Sequence, residues 1–135
     1  MDYIIWEAET PGISFSIRSG RITIFQRTLE VLGNPEFYRF LFDPAGLRFA
    51  IEVCGIDDEG AKTMPQERPR GSCDIKSLEL VRFVYRTCGW KKNLTYRIAG
   101  MHHPSHNLVD FDLSGALEIH EGRTVQQGDD GATMT

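Results

Sequence analysis

The sequence predicts a single α+β domain built mainly from antiparallel strands, with two short helices. Three observations carry that expectation. Apolar and polar residues alternate in short runs, as in Ile13, Phe15 and Ile17, or Leu47, Phe49, Ile51 and Val53. Helical spacing appears in only two stretches, and glycine- or proline-containing turns separate the runs at close intervals. At 135 residues, 41% of them hydrophobic, the chain has the size of one domain and enough apolar material for one core.

The elements follow in order. Ile13, Phe15 and Ile17 alternate with Ser14, Ser16 and Arg18; after Ser19-Gly20 the alternation resumes through Ile22 and Ile24, which is the pattern of a tight hairpin. From Phe25 to Leu32 the period changes, and Phe25, Leu29 and Leu32 suit a short helix closed by Gly33 and stopped by Pro35. Phe37 to Phe42 is apolar on both faces apart from Arg39, as in a central strand. Asp43-Pro44-Ala45-Gly46 is a type I turn, and the strand Leu47 to Val53 completes a second hairpin.

Residues 55–71 combine charge, glycine and proline with little that is apolar, which predicts a mobile loop between two halves. Beyond it, Ser77 is placed to cap a helix with its hydroxyl. Leu78, Val81, Val84, Tyr85 and Cys88 recur at helical spacing until Gly89. Thr95 to Ala99 is extended, a turn over 100–106 follows, and Leu108 to Leu113 alternates again. The expected organisation is therefore one domain over residues 1–120, with halves 13–54 and 73–113 joined by a loop at 55–72, and a flexible polar tail over 121–135.

The halves share an order of helix, closing glycine, strand, turn and strand. Tyr38-Arg39-Phe40 follows Gly33, and Tyr96-Arg97-Ile98 follows Gly89 at a similar distance. An internal duplication forming a barrel-like pseudo-dimer explains this order; chance recurrence of common signals is the alternative.

The three cysteines, Cys54, Cys73 and Cys88, are odd in number, lack CxxC spacing and lie in or beside apolar segments, as free buried thiols do. A reducing, cytoplasmic setting is the expectation. The start Met1-Asp2-Tyr3-Ile4-Ile5-Trp6-Glu7 lacks the basic region and length of a secretion signal, and no apolar run approaches the length of a membrane span.

The formal net charge is -4, but its distribution is uneven. Between Arg68 and Arg97 lie Arg68, Arg70, Lys76, Arg82, Arg86, Lys91, Lys92 and Arg97 against Asp74 and Glu79. Such a segment offers one attractive face to a polyanion.

The run Ser19-Gly20-Arg21-Ile22-Thr23-Ile24, followed by Arg27, Leu32-Gly33 and two further strands, resembles the AbrB/MraZ-like family of swapped-hairpin DNA-binding proteins over residues 13–53. The family's usual proline between the second strand and the helix is replaced here by Phe25-Gln26. The resemblance implies a pseudo-dimer within one chain and DNA-facing roles for Arg18, Arg21 and Arg27. Arginine on a rigid hairpin suits phosphate or guanine contact, although on the wet face of a strand it is more often simply a solvated residue.

In the second half, Arg82 and Arg86 lie four apart on one helical face, with Lys91 and Lys92 just beyond its end. They form a candidate phosphate patch, or else they complement the helix dipole while Glu79 pairs with Arg82. His102, His103 and His106 fall in one expected turn, which raises a metal hypothesis, although no carboxylate or cysteine stands at ligand spacing beside them. The sequence contains no GxSxG, P-loop or dinucleotide fingerprint, and Cys88 falls on the apolar stripe of its helix.

The expected function is thus a DNA-binding or regulatory protein acting without catalysis or cofactor, on double-stranded DNA, as a homodimer. Two alternatives stand beside it. One is an adaptor that meets a protein partner through its aromatics Phe37, Tyr38, Phe40, Phe42, Phe83, Tyr85 and Trp90. The other is a small-molecule module with its pocket between the halves.

Overall fold

In the computed structural model, residues 10–68 and 71–119 are described; the N-terminal Ile4-Ile5-Trp6 run and the expected tail 121–135 lie outside them. Strands β1 (Gly12–Ser16) and β2 (Arg21–Ile24) form the expected antiparallel hairpin, with Ile13 opposite Ile24 and Phe15 opposite Ile22. All four side chains are fully buried, so the period of two has put one face of the hairpin into the core. Helix α1 (Gln26–Val31) follows after Phe25. Its buried Thr28 hydroxyl donates to the Gly12 carbonyl at 2.8 Å and accepts from the Gly12 N–H at 2.7 Å, which ties the helix to β1.

Strands β3 (Phe37–Asp43) and β4 (Arg48–Val53) make the second hairpin. Asp43 faces Arg48, so the loop is 44–47, one residue longer at its end than the turn read from sequence. Leu47, expected as the first strand residue, adopts φ 53 there while its side chain packs against the core. Burial of that side chain holds a branched residue in a conformation usually left to glycine or asparagine.

The segment 55–72, expected as a loop without structure, contains some. Strand β5 (Lys62–Thr63) pairs with β3, and Met64 is buried, its N–H donating to the Glu36 carbonyl at 2.9 Å. Just past this segment, strand β6 (Cys73–Lys76) pairs along its whole length with β2. Two strands of two and four residues are too short to show alternation, which is why the sequence conceals them.

Helix α2 (Leu78–Cys88) buries Val81, Val84 and Tyr85. Leu78, read as part of the apolar stripe, is instead 42% exposed, at the first position of the helix. Ser77 occupies the cap position, but its side chain makes no capping bond; its backbone N–H donates to the Gly20 carbonyl at 2.9 Å.

Strand β7 (Thr95–His103) is longer than the expected 95–99, and β8 (Leu108–Asp112) follows a 3₁₀ turn at Pro104–His106. A second 3₁₀ turn, Leu113–Gly115, leads to β9 (Leu117–Ile119), in a region that the sequence marks only as polar with isolated hydrophobes. Thr95 to Arg97 lies between β1 and β9; from Gly100 onward β7 pairs with β8. A Cβ on Gly100 would come within 2.6 Å of both Phe111 and Val109, so only glycine permits that close crossing.

The described strands form one antiparallel, curled, half-barrel sheet in the order β5-β3-β4-β8-β7-β1-β2-β6, with β9 also on β7. Its pairing has a regularity. Exchanging β1 with β5, β2 with β6, β3 with β7 and β4 with β8 turns β1–β7 into β5–β3 and β3–β4 into β7–β8, and returns β2–β6 and β4–β8 to themselves, but β1–β2 has no counterpart, because β5 and β6 lie at opposite ends of the strand order. The core lies on the sheet's inner face, where Phe15, Ile22, Phe49, Ile51, Ile98, Val109 and Phe111 are all buried. No helix among the described residues is long and apolar enough to cross a membrane.

Candidate functional site

The amphipathic pattern of α2 decides where its charges go. With Val81, Val84 and Tyr85 directed into the core, Leu78, Arg82 and Arg86 are left outside at four-residue intervals on one stripe. The Ser77–Gly20 bond brings the start of this stripe against the β1–β2 turn. That turn carries Ile17 and the exposed Arg18.

At the other end, Gly89 adopts φ 66, and the Trp90 N–H donates back to the Tyr85 carbonyl at 3.0 Å, closing the helix. The Trp90 ring then stacks on Tyr96 at 4.3 Å between centroids and 12° between planes, while meeting Tyr85 edge-on at 5.2 Å. The Tyr96 hydroxyl accepts from the Lys91 N–H at 2.9 Å, and the buried Tyr85 hydroxyl lies 2.6 Å from the Leu94 carbonyl and 2.9 Å from that of Phe15. The connection from α2 to β7 is therefore fixed by aromatic packing and hydrogen bonds.

Between the hairpin turn and α2 these elements enclose an open groove of about 550 Å3. Arg18, Arg82, Arg86 and Lys92 line it, together with Ile17, Leu78, Tyr85, Gly89 and Trp90. None of the four cations forms an ion pair with a described carboxylate. The expected Glu79–Arg82 pair is not formed, and Arg86 instead lies 5.7 Å from the centre of the Phe83 ring. Four cations that pair with no described carboxylate around one concave surface make a positive potential there, in a chain whose formal charge is -4.

The remaining basic candidates separate from this group. Arg27 reaches Glu30 at 3.5 Å on α1, and Lys91 reaches Glu118 on β9 at 3.7 Å. Arg21 begins β2 directly opposite Lys76, at the same end of the hairpin but outside the groove lining. The adjacent Lys91 and Lys92 thus point to different surroundings, which sequence proximity could not reveal.

The three histidines do not share one turn. His102 and His103 are consecutive residues of β7, opposite Val109 and Leu108, and His106 ends the 3₁₀ turn. His103 Nε2 lies 3.7 Å from Asp110 Oδ2, and His106 Nδ1 lies 3.2 Å from the Ser105 hydroxyl. Among the described residues no three His, Cys, Asp or Glu side chains come together as metal ligands. All three cysteines are free, and burial raises each thiol above its ordinary range, away from the reactive thiolate.

Most of the aromatics considered for an adaptor surface lie in the core. Tyr38 and Tyr85 are buried, Phe40, Phe42 and Trp90 pack against the core, and Phe83 is 40% exposed with its ring edge-on to Phe42 at 5.2 Å. Sequence reasoning found the groove's charges but missed its apolar floor. The usable signal was Leu78 four residues before Arg82, on the same helical face.

Comparison with known protein families, curated proteins and solved structures gave no match.

Proposed function

We propose that this domain binds nucleic acid without catalysing a reaction, holding phosphates with Arg18, Arg82, Arg86 and Lys92. The observation that carries the reading is the convergence of these four side chains, drawn from a hairpin turn, a helix and a helix-to-strand connection, on one groove with no carboxylate of the described residues paired to them. Cations that served only to solubilise a surface would be interspersed with acids, as Arg27 and Lys91 are. Arginines offer forked donors that match phosphate oxygens.

The partial exchange of strand pairings, from which only the β1–β2 hairpin and the added β9 depart, supports a further part of the proposal, an internal duplication of a β-β-α-β-β unit. Tyr38-Arg39 and Tyr96-Arg97 fall on exchanged strands, and both tyrosines are buried. This is the arrangement implied by the AbrB/MraZ-like resemblance, with DNA as the expected nucleic acid. A homodimer would present two grooves to one target, and a cytoplasmic setting accords with three free thiols.

Fluorescence anisotropy with labelled DNA at two salt concentrations tests the reading. Binding should weaken steeply with salt and be lost in the Arg82→Ala/Arg86→Ala double variant, with an unchanged circular dichroism spectrum. Salt-independent association, or full retention by the folded double variant, would overturn it.

A further inference from the structure

The groove has a feature that phosphate binding alone does not require. Ile17, Leu78 and Trp90 supply apolar and aromatic surface between the cations, over the buried Tyr85. Leu78 keeps 42% of its surface exposed at the edge of this groove, and Trp90 is only half-buried although its ring is stacked on Tyr96. We infer that the groove takes an unpaired stretch of nucleic acid: phosphates lie on Arg18, Arg82, Arg86 and Lys92, and a base packs against the floor at Trp90 and Leu78. This deepens the nucleic-acid reading above and rests on it.

Shape, chemistry and rigidity argue together. A duplex is convex and its bases are stacked inward, so its phosphates could meet the cations on the rim but would leave the apolar floor wet. A single strand exposes both a charged backbone and flat apolar bases, which is the mixture of surfaces found here. The volume of about 550 Å3 falls in the range of sites that enclose a small organic group, enough for a base with its sugar. Arg82 and Arg86 stand one helical turn apart, about 6 Å along the axis, so that each can meet a successive phosphate of a strand. Trp90 is already fixed by Tyr96 and Tyr85, so little side-chain freedom is lost on binding.

The test uses the full chain carrying Trp6→Phe, because Trp6 and Trp90 are its two tryptophans and emission then reports Trp90 alone. Three probes are titrated at low salt: a thymidine homo-oligonucleotide, a blunt duplex of equal length, and thymidine monophosphate. The oligonucleotide should quench Trp90 and bind at least about 10-fold more tightly than the duplex. Trp90→Leu should weaken oligonucleotide binding by about 5- to 150-fold, the loss expected for one base–aromatic contact, and should leave duplex binding unchanged. If that variant does not fold, quenching of the intact Trp90 decides the matter alone.

Duplex binding equal to or tighter than that of the single strand, with Trp90 emission unchanged, overturns the inference and leaves the nucleic-acid reading standing. Quenching by the monophosphate at lower concentration than by the oligonucleotide overturns it in favour of a free nucleotide. No binding of either polymer overturns both.

Discussion

The backbone N–H of Ser77 donates to the carbonyl of Gly20 across 2.9 Å, joining the residue that starts α2 to the turn that carries Arg18. Fifty-seven positions apart in sequence, these residues set the spacing of the groove's two walls. Gly20 has φ 62, and a Cβ there would lie 3.2 Å from Leu78 Cβ and Cδ1. Gly20→Ala should therefore destabilise the domain by about 1–2 kcal/mol, the cost of a left-handed residue with a side chain. It should lower Tm by roughly 5–10 °C. Binding should weaken as the walls part; thermal unfolding and anisotropy on the same samples check both effects.

The assignment of Lys92 but not Lys91 to the groove gives a prediction on adjacent residues. Four phosphate contacts correspond to a slope of about -3 to -4 in log affinity against log salt, the exact value depending on whether the target is single- or double-stranded. Lys92→Ala should reduce that slope by about 1 unit. Lys91→Ala, which removes a partner of Glu118, should leave it unchanged. Equal effects of the two substitutions would contradict the geometry.

Gly100 predicts a stability effect in the sheet. A methyl group at this position meets Phe111 and Val109 at 2.6 Å, both in the core, so Gly100→Ala should cost about 1–3 kcal/mol in urea unfolding. Gly115 has nothing within 4 Å of its added Cβ, and Gly115→Ala should stay within about 0.5 kcal/mol of the parent. A similar cost at both positions would show that the close crossing is not the cause.

Asp112 gives a prediction with pH. The Ser114 hydroxyl, and next its backbone N–H, donate to Asp112 Oδ1 at 2.6 and 3.1 Å and hold the carboxyl below its ordinary range. A carboxyl lowered in the folded state stabilises fully above its unfolded pKa of about 3.9 and loses that contribution as pH falls through the folded value. Ser114→Ala should thus be less stable than the parent at pH 7, and the gap should begin to narrow as pH falls below about 4. Denaturant midpoints at pH 7, 4 and 3 decide it; a gap independent of pH would refute the linkage.

Much of the local structure was legible in the residues themselves. The β1–β2 hairpin, α1, the β3–β4 hairpin and the buried stripe Val81, Val84 and Tyr85 all emerge at the expected places. Each depends on neighbours two, three or four positions apart, whose apolar spacing the chain displays directly. The glycines Gly33 and Gly89 likewise mark helix ends by a backbone conformation that their lack of a side chain permits.

What residues 13–113 determine alone is a set of strands and helices with one apolar face each, and a list of cations. Which strands pair, and hence which cations share a surface, was decided only by the tertiary structure. The β2–β6 and β1–β7 ladders join residues about 50 and 80 positions apart, and β5, β6 and β9 exist because a partner edge was there to receive their backbone bonds. The same closure set Arg18 beside Arg82 and Arg86 while turning Lys91 toward Glu118. Hydrophobic periodicity is a property of one segment, whereas a groove is a relation between segments, and the core that fixes that relation forms only when the whole sheet has curled around it.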